Sequence, residues 1–105
     1  MASYHFAWNE RLRISIPVLD SEWDRYSMAD RQNIIEQWES IRGTIPNHVM
    51  AFERIINLKL AELSEEDNFE RSCLINAEIA EYASRINDLH IWYRMNQEVE
   101  SRLHA

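Results

Sequence analysis

The side chains best suited to chemistry in this chain are four histidines, one cysteine and several clustered acids. His5, His48, His90 and His104 share no metal-binding spacing. A carboxylate metal site in a helical bundle uses Glu-x-x-His pairs, and the residues three before His48 and His90 are Ile45 and Asn87. A zinc thiolate pair needs a second cysteine, and Cys73 stands alone. No metal or cofactor is therefore expected. A helix N-terminus can lower a thiol pKa and make it a nucleophile. Cys73 falls past the first turn of its predicted helix and reads as a buried packing residue. His90, beside Trp92, reads as a half-buried or interface histidine. Gly43 is the only glycine, which leaves no phosphate-cradling loop and no nucleophile elbow. Glu65-Glu66-Asp67 and the pair Glu78/Glu81 read as helix caps and solvated faces. No catalytic residue emerges, and the chain is expected not to be an enzyme.

Charge narrows the partners. Eighteen acids against eleven bases give a formal charge of −7, and Lys59 is the sole lysine. A phosphate-binding surface needs clustered Lys and Arg. No such cluster occurs, so direct nucleic-acid binding is not expected, nor is docking on an anionic membrane. No stretch approaches the roughly 20 apolar residues of a membrane span, and no leader-like segment opens the chain. The expected location is cytoplasmic.

The elements that carry these residues follow from their periods. Asn68 to Leu103 holds no Gly and no Pro. Within it Ile75, Ile79, Tyr82, Ile86, Leu89 and Tyr93 alternate steps of four and three, the spacing of one helix face. Farther on the line shifts to Trp92, Met95, Val99 and Leu103, as a straight helix drifts against a heptad. Asp67–Arg71, Glu81–Arg85 and Glu98–Arg102 stand four apart with the acid first, worth a few tenths of a kcal/mol each. At about 1.5 Å per residue this helix would reach about 54 Å, longer than any other in the chain. Part of its apolar face must find cover elsewhere.

Ahead of it, Val49, Phe52, Ile56, Leu60 and Leu63 mark a helix opening at Ile45-Pro46, with Pro46 where its missing N–H costs nothing. Ser64-Glu65-Glu66-Asp67 makes a polar break, with Ser64 as a candidate cap. Before that, Met28, Ile34, Ile35, Trp38 and Ile41 read as a helix closed at Gly43. Ser27 with Asp30 resembles a capping box, although one helix from Ser21 fits as well. Residues 4 to 18 alternate with period two, Tyr4, Phe6 and Trp8 and then Leu12, Ile14 and Ile16. This predicts an extended arm with one or two short strands, turning near Asn9-Glu10 and stopped by Pro17.

Two surfaces have open readings. Cys73, Ala77, Ala80 and Ser84 form a stripe of small residues, either a tight helix–helix contact within the chain or a close-packed antiparallel dimer seam. His90 to Met95 is apolar on more than one face, covered either by the aromatic arm or by a partner, since Trp, Tyr, Met and Arg are enriched at interfaces.

Residues Leu60 to Ile79, LAELSEEDNFERSCLINAEI, resemble the UVR motif, a helical hairpin of bacterial excision-repair subunits and of adaptors of the Clp protease system. Phe69-Glu70 match its start, Ser72 and Cys73 stand where two alanines are usual, Ile75 fills the apolar position, and Glu78-Ile79 close it. Asn76-Ala77 replace an Arg-Asp pair, and Asn68 replaces the acid before Phe. The resemblance covers about a fifth of the chain. It implies antiparallel pairing with a like hairpin and no catalysis.

The expected fold is thus a single all-α domain over 1–105. An extended arm (1–20) precedes three helices at 27–42, 46–63 and 67–103, the last two forming a hairpin. The expected function is a small homodimeric adaptor or regulator that also binds a protein partner. Its interface is expected on Ile75, Ile79, Tyr82, Ile86, Leu89, Trp92 and Tyr93. The alternative is a small-molecule pocket among Trp23, Trp38, Trp92 and Tyr93, with polar groups such as Arg94, His90 or Glu36 converging on it.

Overall fold

The computed structural model describes residues 2–104, with side chains described through Met95. The elements run β1 (Tyr4–Asn9), β2 (Ile14–Leu19), a 3-10 turn (Trp23–Arg25), α1 (Met28–Arg42), α2 (Ile45–Ser64) and α3 (Phe69–His104). The chain is mostly helical and elongated, 59 × 22 × 19 Å. It is not purely all-α, because the arm folds into a two-stranded antiparallel hairpin. Val99, Leu103, His104 and the Glu98–Arg102 pair have side chains outside the described residues.

The hairpin differs from the expected arm in two ways. Its loop spans four residues, with Asn9 paired to Ile14. The Asn9 side chain accepts the Leu12 N–H at 2.9 Å, and the Asn9 carbonyl accepts the Arg13 N–H at 2.7 Å. Closing that loop forces Arg13 to φ 60°, the left-handed region, which costs a non-glycine residue roughly 1 kcal/mol. Second, Pro17 does not end the arm but sits inside β2, opposite Phe6. Asp20 N–H donates to Ser3 O at 3.2 Å, which sets the alternation of hydrogen-bonded pairs. By that alternation Pro17 falls where an N–H would face away from β1, so its missing donor leaves the ladder intact.

The base of the hairpin is tied by a polar knot. Asp20 accepts the Ser3 N–H at 2.7 Å and the Ser3 hydroxyl. The buried Tyr26 hydroxyl donates to Ser3 O at 2.6 Å and accepts the Asp20 N–H at 3.0 Å. The bonds from Ser3 hold the Asp20 carboxyl down at about 2. Burial and the neighbouring Asp20 push the Tyr26 phenol up.

Helix α1 begins one residue after Ser27, whose hydroxyl accepts the Asp30 N–H at 3.1 Å. The alternative of one helix from Ser21 fails, because Trp23–Arg25 is a separate turn. Gly43 is right-handed at φ −62°, so no left-handed stop occurs and α1 passes into α2 through Gly43 and Thr44 alone. Helix α3 is capped by Asn68, which accepts the Arg71 N–H at 2.9 Å. Ser64, the expected cap, instead donates to Ala61 O. Arg71 pairs with Glu62 and Glu66 across the turn rather than with Asp67, whereas Glu81–Arg85 forms at 3.3 Å.

The core lies where the hairpin and all three helices meet. Leu12 and Ile14 meet Trp38 of α1, Ile45, Val49 and Phe52 of α2, and Leu89 of α3, all buried. Phe52 and Leu89 are fully enclosed. The Phe52 ring packs 5.6 Å from Tyr82 and lies under the guanidinium groups of Arg13 at 5.1 Å and Arg85 at 5.8 Å.

Candidate functional site

The face expected to meet a second molecule is largely used inside the chain. Ile75 and Leu89 are buried. Tyr82, Ile86, Trp92 and Tyr93 pack against the core from within, and Ile79 is half-buried. The cover for Trp92 and Tyr93 comes mainly from α1. Trp38 meets Trp92 edge-on at 5.7 Å, and Arg42 stacks 4.2 Å over Tyr93. Of the aromatic arm, Trp8 is exposed, its indole N–H donating to Glu10 at 2.6 Å.

The middle of α3 is clasped by a contact that the apolar period does not announce. Arg11, at the hairpin tip, reaches Glu81 at 3.0 Å, the Ser84 hydroxyl at 2.7 Å and Asp88 at 2.6 Å. Hydrogen bonds to Asp88 and then Glu81 raise the Arg11 pKa, and those from Arg11 and then Arg85 lower that of Glu81. The signal in the sequence is the spacing Glu81-x-x-Ser84-x-x-x-Asp88, three polar groups on one side of a helix.

Two surfaces remain. One is a groove between β2, the 3-10 turn, α1 and α3, of about 230 Å³. Trp23, Trp38 and Trp92 line it with Ile34, Ile35 and Met95, and Pro17 and Leu19 close its rim. The period of α1 puts Ile34 and Trp38 on one face, and β2 brings Pro17 and Leu19 across it. Three of the expected pocket residues meet here. Tyr93 does not line it, and neither do the polar residues Arg94, His90 or Glu36. With no titratable side chain in its wall, the groove can hold apolar groups but offers no acid or base. The Trp23 indole N–H is buried without a partner among the described residues.

The other surface is the outer side of α3 with the turn of its hairpin. Cys73, expected in the core, is exposed, and so are Ala77, Ala80 and Ser84. The small-residue stripe is therefore no helix contact within the chain. α2 packs on the opposite side of α3, and of this stripe only Ser84 is touched among the described residues, by Arg11. His90, expected to be half-buried or at an interface, is exposed as well. Phe69 at 80% and Leu74 at 63% exposure flank the stripe, and Leu58 on α2 is 72% exposed.

Among the described residues no group of three His, Cys, Asp or Glu side chains converges to hold a metal. No described helix is long and apolar enough to cross a membrane. No protein-family model, curated protein or solved structure matches the chain.

Proposed function

We propose that this chain is a small protein–protein interaction module, a homodimeric adaptor or regulator that acts in the cytoplasm without catalysis. The observation that carries this reading is the outer side of α3. It presents Phe69, Leu74 and the small-residue stripe to solvent while the inner side is already filled. The likeness of Leu60–Ile79 to the UVR hairpin supports helix pairing as the mode of contact. The charge of −7 favours protein partners over phosphate or anionic lipid. Light scattering over a hundredfold concentration range tests the reading. A mass approaching twice the 12.6 kDa chain is expected. A monomer throughout would remove self-association.

The tryptophan groove favours a second reading, binding of a small apolar molecule. Its three indoles make the test direct. Titrated naphthalene should shift their emission saturably, and the shift should vanish in Trp92→Ala. A linear, unsaturable response would remove this reading.

A further inference from the structure

Resting on the self-association just proposed, the geometry points to one seam. We propose that a second copy of this chain packs antiparallel on the outer side of α3, with the two-fold axis between Ala80 and Ala83.

The inner side of α3 is filled by the core, and one flank is held by Arg11 on Glu81, Ser84 and Asp88. The remaining arc is the flank bearing Phe69, Cys73, Asn76, Ala80, Ala83, Asn87, His90 and Arg94, every one exposed. Their steps of four and three are the seam spacing of a two-helix coiled coil.

The centre of that seam, Asn76-Ala80-Ala83-Asn87, reads the same in both directions, and the outer layers pair unlike residues. A two-fold interface must be self-complementary, so that when one residue meets another the reciprocal contact also forms. Reversing the helix about the midpoint of Ala80 and Ala83 sets Ala80 against Ala83 and Asn76 against Asn87. The next layers out set Cys73 against His90 and Phe69 against Arg94. The alanines let the two backbones approach closely at the centre. Each asparagine amide has a donor and an acceptor, so facing amides satisfy one another, and a polar seam position fixes register. A guanidinium facing an aromatic ring is an attractive pair. Arg94 also comes beside the acidic turn Glu65-Glu66-Asp67 of the other copy. A parallel arrangement would instead stack Arg94 on Arg94 and turn on turn, like charges together.

Cysteine cross-linking tests this directly. Within one chain Cys73 and residue 90 are 17 positions apart, about 26 Å along the helix, beyond the roughly 7 Å Cα separation a disulfide tolerates. In His90→Cys, copper–phenanthroline oxidation should therefore link two chains through positions 73 and 90. Cys73→Ser in that background should abolish the link. Ala80→Glu, at an exposed position, should keep the circular dichroism of the wild type and weaken dimerisation at least tenfold. A dimer that fails to cross-link in His90→Cys, or a wild type that cross-links through Cys73 alone, overturns this seam and leaves self-association standing. A monomer at every concentration overturns both.

Discussion

Arg42 and Tyr93, 51 residues apart, are joined twice: the guanidinium lies 4.2 Å over the phenol ring, and its Nε donates to the Tyr93 carbonyl at 2.7 Å. The arginine is at the end of α1, its side chain 14% exposed, so the contact fixes how α1 lies against α3. Arg42→Ala removes a partly desolvated stacking pair and a charge-assisted hydrogen bond. It should lower stability by about 2 kcal/mol, read as a lower urea midpoint. Arg42→Lys, which has no planar fork to stack, should recover less than half.

Phe52 and Phe69 make a matched pair for separating core from surface. Phe52 is fully buried and Phe69 is 80% exposed. Phe52→Ala should cost about 3–5 kcal/mol by the cavity it leaves. At concentrations where the chain is monomeric, Phe69→Ala should change stability by less than about 0.5 kcal/mol. Thermal melts of the two variants check both values.

The knot at the hairpin base carries an acid dependence. The Asp20 carboxyl is lowered to about 2 by the Ser3 bonds, against about 3.9 in an unfolded chain. A depressed carboxyl contributes stability that is fully present above about pH 4 and is lost as pH falls through about 2. Asp20→Asn should therefore reduce the loss of stability between pH 4 and pH 2, measured by urea titration at each pH. Equal slopes for both proteins in that window would show that the knot is not the acid-sensitive element.

The clasp at the hairpin tip should respond to salt. Arg11 is about one-third exposed, and exposed ion pairs contribute up to about 1 kcal/mol. Arg11→Ala should lower stability by about that much at low ionic strength. The difference from wild type should shrink toward 0.5 M salt as the charges are screened.

The helices were legible because their signals are local. Pro46, Ser27 and the unbroken run from Phe69 place the helices to within a residue or two. What a period of four and three cannot state is which molecule covers the face it marks. Ile75 to Tyr93 show the same pattern whether α2 or a partner lies on them. Cys73 misleads for a related reason. A small residue fits a core equally well, and its side of α3 is open because α2 packs on the opposite side, where Ile75 is buried. The hairpin loop was harder still. Arg13 at φ 60° obeys no glycine or asparagine signal, and it is held by Asn9 and by the Phe52 ring beneath its guanidinium. Of the groove, the indoles were found from composition. The expected polar partners were not, because His90 and Arg94 lie on the opposite side of the same helix from Trp92.

The partners of Arg11 lie 70 to 77 positions farther along the chain, and this sets an order of events at the ribosome. The hairpin emerges well before the acids that clasp its tip are made. At roughly 5–20 residues per second, the interval is about 4–15 seconds. Through that time Leu12 and Ile14 can pack on Trp38 of α1 and on Ile45, Val49 and Phe52 of α2, but Leu89 is missing from their cluster and Arg11 has no acid to hold. The hairpin is thus seated in two stages, first by the apolar faces of α1 and α2 and then by the Arg11 clasp, which is the last contact of the tip to close.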